Sequence, residues 1–264
     1  MNFKDLELKP TYDSIIDDIY NDFFNKILSE STRCDRLGGV FTSRNFAACA
    51  EGMQNFIKND GRMRLILTPS FSDDDVNAIQ NGLKNENDVI TKNWITELDE
   101  IKDKFEQDHT KALAWLLKNN LLDIRIAVLI NPDGSFARSK DLEKIGILKR
   151  KTGIYIGQSS DEIVTFQGQV DFDDKLFGEY YHFDVYRYWD ESERKWVNQN
   201  YTEFEKYWDG KIVEGVDGYN LKIITLPTAL KENLIERAPP SKSEISLKKL
   251  PTLYPFQKTA ISNW

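Results

Sequence analysis

The chain has 264 residues, of which 35 are basic and 43 acidic, so its formal net charge is −8. With 40% hydrophobic and 30% charged residues, it has the balance of a globular protein holding one large domain or two small ones. The acidic excess argues against bulk neutralisation of nucleic-acid phosphates, so a grip on such a partner has to come from a local basic patch. No apolar run reaches the length of a membrane-spanning helix, and the opening MNFKDLELKP has no apolar signal core. Two cysteines, Cys34 and Cys49, are too few for a disulfide framework or a zinc site, which points to a reducing cytoplasm.

Between residues 12 and 28 the apolar positions Ile15, Ile16, Ile19, Phe23, Phe24, Ile27 and Leu28 recur at three and four, which predicts an amphipathic helix. Residues 34–41 read as a strand, and a second helix follows from Ser43 to about Lys58, stopped by Asn59-Asp60-Gly61. Residues 62–67 (RMRLIL) predict a partly buried strand, and Ser72 with Asp73, Asp74 and Asp75 marks the next helix start. This helix–strand alternation predicts a mostly parallel sheet. A long polar helical region spans 94–120, then a strand 122–130 and a turn at Asn131-Pro132-Asp133-Gly134. Strand-like runs follow at 144–148, 154–156, 163–166 and, rich in aromatics, 180–189; a helix at 200–208, a strand at 221–226 and a helix at 227–235 complete the unit. Residues 239–249, opening Pro239-Pro240-Ser241, have linker composition.

The last fifteen residues, LPTLYPFQKTAISNW, carry apolar positions at helical spacing behind Pro255. They resemble the entry of a superfamily 2 helicase motor of the DEAD/DEAH kind, whose first helix holds an aromatic-Gln pair on the adenine of ATP. The resemblance places Phe256 and Gln257 in that cofactor-binding role and implies ATP and magnesium for a longer parent protein. No G-x-x-x-x-G-K-[ST] loop occurs in the chain itself.

The succession Tyr12-Asp13, then Cys34-Asp35-Arg36-Leu37-Gly38-Gly39-Val40-Phe41, Glu51-Gly52, Gly61-Arg62-Met63-Arg64-Leu65-Ile66, Ala112-Leu113-Ala114-Trp115-Leu116, Phe183-Asp184-Val185 and Leu226-Pro227 resembles the phospholipase D-like domain fused in front of bacterial helicases. The resemblance implies an α/β fold over residues 1–238, a mixed and largely parallel sheet with helices on both faces. In that family an H-x-K-x4-D motif and a G-S-x-N pair carry phosphodiester cleavage through a phosphohistidine, with lysine and asparagine stabilising the phosphoryl oxygens and without a metal. The matching frame here is 142–149: Leu142 replaces the nucleophile, Lys144 keeps the lysine and Lys149 replaces the aspartate. Downstream, Phe166-Gln167-Gly168-Gln169 keeps the glycine alone. A leucine forms no phosphoenzyme, so the expectation is a degenerate site that holds phosphate without cutting.

Candidate nucleic-acid contacts are Arg36 and Arg44 beside the Gly38-Gly39 strand end, together with Lys144, Lys149, Arg150 and Lys151. Arg36 is as readily an ion-pair partner of Asp35 or of nearby acids. Of the two histidines, His109 reads as a solvated residue on a polar helix. His182 reads as a sheet residue, and becomes a rescue candidate for catalysis if its strand lines the cleft. Asp171, Asp173, Asp174 and Lys175 read as an exposed charge cluster, with a metal-dependent nuclease set as the sharper alternative. The aromatic run from Tyr180 to Trp189 reads as core and cross-strand packing, with base stacking as the alternative.

The expected function is therefore a pseudo-nuclease: an accessory domain of a nucleic-acid-dependent ATPase, in restriction or phage defence. It positions DNA (more readily than RNA) or self-associates as a homodimer. Two rivals are an active nuclease with a rearranged site and a purely protein-binding module.

Overall fold

The computed structural model describes residues 2–38, 49–68, 79, 85–100, 104–137, 151–169, 181–210 and 212–247. Strands β1 (Thr11–Asp13), β2 (Arg33–Leu37), β3 (Arg62–Leu67), β4 (Leu122–Ile130), β5 (Lys151–Ile156), β6 (Ile163–Gln169), β7 (His182–Arg187), β8 (Ile212–Glu214) and β9 (Asn220–Thr225) form one sheet. Its order is β1-β7-β6-β5-β2-β3-β4-β9-β8. The helices are α1 (Asn25–Glu30), α2 (Ala50–Lys58), α3 (Glu86–Glu100), α4 (Lys104–Lys118), α5 (Arg194–Asp209) and α6 (Thr228–Glu236).

The chain is α/β with a mixed sheet, but the largely parallel pairing expected from the sequence is corrected. Among the described strands only β2–β3 and β3–β4 are parallel; β1–β7, β2–β5, β4–β9, β5–β6, β6–β7 and β8–β9 are antiparallel. Parallel neighbours need a helical crossover. The helices after β2 and β3 supply one each, whereas β5 and β6 are joined by a short turn.

Side chains alternate between two cores. On one face Cys34, Met63, Leu65, Ile124, Ile126, Tyr155, Phe166 and Phe183 pack against Phe23, Phe24 and Ile27, the α2 residues Met53 and Phe56, and Leu113 and Leu116 of α4. Phe23 and Phe24 meet Phe166 edge-on, with centroids 6.1 and 5.6 Å apart, a geometry favoured by the ring quadrupoles. On the other face Leu37, Ile66, Ala127, Leu129 and Ile154 pack beneath Phe204 and Trp208 of α5. Helices thus cover both faces, as the periodicities imply.

Several local expectations are revised. Residues 12–28 are not one helix: β1 is followed by a turn, a π-helical stretch Tyr20–Phe24 and then α1. Within the turn, Asp13 Oδ1 accepts from the Ile15 N–H at 2.8 Å and Asp17 Oδ2 from the Asp13 N–H at 2.9 Å, so side chains bond local backbone donors in a non-helical arrangement, and Ser14 Oγ accepts from the Tyr181 N–H at 2.9 Å. The region 94–120 lies in two helices, α3 and α4. His109 is wholly buried rather than solvated, because it shares the α4 face of Ala112, Leu113 and Leu116.

The segment with linker composition is docked in its described part. Ile245 is buried, and Gln54 of α2 clasps the chain on either side of it. Its Nε2 donates to Ile245 O at 3.1 Å, and its Oε1 accepts from Leu247 N–H at 2.9 Å. Lys242 Nζ donates to Lys58 O and to Asp60 Oδ1 at 2.8 and 2.6 Å. This strap runs antiparallel to α2. Among the described residues no helix is long and apolar enough to cross a membrane.

Candidate functional site

The parallel strands β2, β3 and β4 define a carboxyl end of the sheet, the end at which α/β sheets present ligands. Register places more residues there. Leu37 of β2 pairs with Thr152 of β5, Lys151 with Gly168, Gln169 with His182, and His182 with Asp13. Two polar rows cross the face covered by α5. The inner row is Thr11, Asp184, Gln167 and Thr152; the outer is Asp13, His182 and Gln169. In the sequence, segment 39–48 follows β2, 138–150 precedes β5, and 170–180 lies between β6 and β7. Arg44, the frame Leu142–Lys149 with Lys144, Arg150, and the Asp171–Lys175 cluster fall on those segments and lie outside the described residues, as do Phe256 and Gln257.

Gln167 is the most informative member of the inner row. It is 7% exposed, and among the described residues its Nε2 has no hydrogen-bond partner. A buried, unmade donor costs about 1–3 kcal/mol, so the amide is open to an acceptor from an ordered water or a ligand. Beside it Thr165 is satisfied by Asn200 of α5, whose Nδ2 donates at 2.9 Å. The neighbour Asp184 is half-buried and His182 is exposed. Gly168, the glycine retained from the family frame, has a packing reason of its own. A Cβ there would stand 2.3 Å from His182 O and 2.5 Å from Phe183 Cα.

Arg36 reaches the same end on the opposite face. Adjacent strand residues point to opposite faces, so Asp35 faces α5 and Arg36 faces the aromatic core. The Arg36 guanidinium lies over Phe166 and Phe24, 5.5 and 6.0 Å from the centroids. Cys34 and Cys49 are buried nearby and free. Burial pushes the Cys34 thiol up to about 12 and the Cys49 thiol higher still, against the weaker pull of Arg36. Neither sulfur is a thiolate nucleophile at neutral pH.

Asp35 instead anchors a closed ionic cluster under α5. Arg64 donates through Nε and Nη2 to Asp35 at 2.9 and 2.8 Å, and through Nη2 and Nη1 to Glu205 at 2.6 and 3.1 Å. Arg33 adds an Nε bond to Asp35 at 3.1 Å. The Arg64 guanidinium also lies 4.7 and 4.8 Å from the Phe204 and Trp208 rings. Burial alone would lower the Arg64 pKa, and the bonds to Asp35 and Glu205 outweigh it and raise it. The Arg64 hydrogen bond holds the Glu205 carboxyl below its usual range.

Among the described residues, no group of three or more His, Cys, Asp or Glu is arranged to hold a metal ion. Of the residues singled out in the sequence, Arg36, Lys151 and His182 are described and come to the same sheet end. Thr152, Gln167 and Asp184 were not singled out for a role. The available signal was polar residues recurring at alternate positions of strands buried on both faces, as in Thr165 and Gln167 of β6.

No family model and no curated protein matches the chain. Among solved structures it is similar to TrmBL2, described as an archaeal chromatin protein that shows a novel mode of DNA binding. The identity is 13%, the coverage 78% of this chain and 54% of that one, and the TM-score 0.32. The chain thus spans about half the length of that neighbour, and a superposition that loose assigns it neither fold nor partner.

Proposed function

We propose that the chain is a catalytically degenerate phospholipase D-like domain that positions nucleic acid, DNA in particular, for an ATP-dependent helicase. The sequence resemblance supplies the family and the motor. The observation that carries the binding role is the gathering at one sheet end of the Gln167 amide, Lys151, His182 and Arg36 with the roots of the segments bearing Arg44, Lys144, Lys149 and Arg150. Cationic side chains there hold phosphates, and the Gln167 Nε2 donates to an acceptor oxygen. Leucine at position 142 leaves the frame without its phosphorus-attacking imidazole. Restriction or phage defence is the setting the resemblance favours, and self-association as a homodimer belongs to the same reading.

The test is fluorescence anisotropy with labelled single- and double-stranded oligonucleotides across a salt series, alongside nicking of supercoiled plasmid. Binding is expected to weaken steeply with salt, by a slope of about 0.7–0.9 per neutralised phosphate, with the plasmid left intact. Salt-insensitive or absent binding favours the protein-interaction reading. A second reading, an active nuclease with a relocated site, has one observation behind it: exposed His182 stands in register with Asp13, the imidazole–carboxylate neighbourhood of a general base. Nicking that disappears in His182→Ala would establish it.

A further inference from the structure

Helix α5 buries Val197, Asn200, Phe204 and Trp208, positions that recur at three and four along one stripe. Trp196 lies one residue off that stripe and is 42% exposed. Of the other described tryptophans, Trp115 and Trp208 are buried, and Trp94 and Trp189 pack against the core. Tryptophan carries the largest apolar area of any side chain, so leaving an indole in water is costly unless something else covers it.

What surrounds it is chemically particular. The Tyr186 ring stands 6.1 Å away, inclined at 33°, and Lys195 Nζ lies 5.0 Å from the indole centroid. Next to them Arg194 stacks over Tyr188 at 5.1 Å. Two carboxylates of the preceding turn are engaged: Glu193 binds Arg187, and Asp190 accepts from Ser192. Aromatic faces interleaved with cations are the chemistry that holds unpaired bases and their phosphates.

Position joins this patch to the sheet end. Phe183 and Val185 face the aromatic core, so alternation places His182, Asp184 and Tyr186 together on the α5 face. At about 3.3 Å per residue, Tyr186 lies about 7 Å along β7 from Asp184 and about 13 Å from His182. Asp184 and His182 pair with Gln167 and Gln169, so one strand direction leads from the polar rows to the aromatic patch.

We propose that Trp196 and Tyr186 form a stacking platform for an unpaired base of a single strand whose phosphates sit at the carboxyl end of the sheet. The inference rests on the nucleic-acid reading above and sharpens it: the preferred partner is single-stranded, and its bases are held by stacking without sequence reading. Its test compares Trp196→Ala and Trp196→Phe with the unaltered chain, using labelled oligo(dT) and a duplex of equal length, with sedimentation to follow mass.

Trp196→Ala is expected to weaken single-strand binding roughly 5- to 150-fold, the loss of one stacked base. Duplex affinity and the salt slope stay unchanged, because neither a paired base nor a phosphate contact is involved. Trp196→Phe restores most of the single-strand affinity. Single-strand binding by Trp196→Ala equal to that of the unaltered chain overturns the platform while leaving the sheet-end reading intact. A change of oligomeric mass with oligo(dT) affinity preserved overturns it in favour of a second copy covering the indole. No salt-sensitive binding by the unaltered chain overturns both.

Discussion

Asp35 and Gln167 are buried on the same sheet face, two strands apart, yet their surroundings treat them oppositely. Asp35 is fully enclosed, and the Arg33 and Arg64 guanidinium groups bond both of its oxygens, with Glu205 closing the far side. Gln167 is almost as buried, and its amide donor has no partner among the described residues. Polar groups sealed in this way hold a fold in one arrangement, whereas an open one is a place for something from outside. The closed cluster lies toward the amino ends of β2 and β3, and the open amide toward their carboxyl ends.

The sharpest break is Asp35→Ala. Removing one member of a buried, hydrogen-bonded charge cluster typically costs about 3–5 kcal/mol, and urea unfolding should show a loss of that size. A loss below about 1 kcal/mol would mean that the cluster is ornamental.

Gln167→Met should behave in the opposite way. Removing an unmade donor leaves stability unchanged or slightly raised. Anisotropy should show nucleic-acid binding weakened by about 1.5–3 kcal/mol, the range of a charge-assisted hydrogen bond to a phosphate oxygen. Destabilisation with unchanged affinity would assign the glutamine to packing.

The smallest effect is the pH response of the closed cluster. Glu205 has its carboxyl pKa lowered from 4.5 by the Arg64 hydrogen bond. A depressed folded-state pKa contributes stability that is present above the unfolded value and lost as pH falls through the folded one. The stability difference between the unaltered chain and Glu205→Gln should therefore be full at pH 7 and shrink below about pH 4.5. A difference that persists undiminished at pH 3 would contradict it.

The regular elements were legible wherever one periodicity dominated. Met63, Leu65 and Leu67 alternate with Arg64 and Ile66, so β3 and the strand facing it, β4, could be read directly. The turn at Asn131–Gly134 was legible from its residues, and Gly134 adopts φ 84°. Ile15 and Ile16 misled, because they continue a helical spacing yet are 77% and 80% exposed. Their turn is governed by hydrogen bonds that hydrophobic spacing does not encode. β8 was missed for the opposite reason: a three-residue edge strand with Ile212 exposed has almost no alternation to detect. The sheet's direction failed because β5, β6 and β7 follow β4 with no described helix between them, and each pairs antiparallel with its neighbours. For the site, sequence reasoning named Arg36 and Lys151, which strand register brings toward the carboxyl end, while Arg44, Lys144, Lys149 and Arg150 lie outside the described residues. It passed over Gln167 because an unsatisfied donor is a property of three-dimensional neighbours, not of residue type.

The strap along α2 has a mechanical consequence. A pull applied to the chain just after Leu247 is taken first by the two bonds of Gln54, then by the ammonium of Lys242, before any strand feels it. Those bonds load along the direction of α2, so tension applied there passes into that helix bond by bond, starting from the Gln54 clasp.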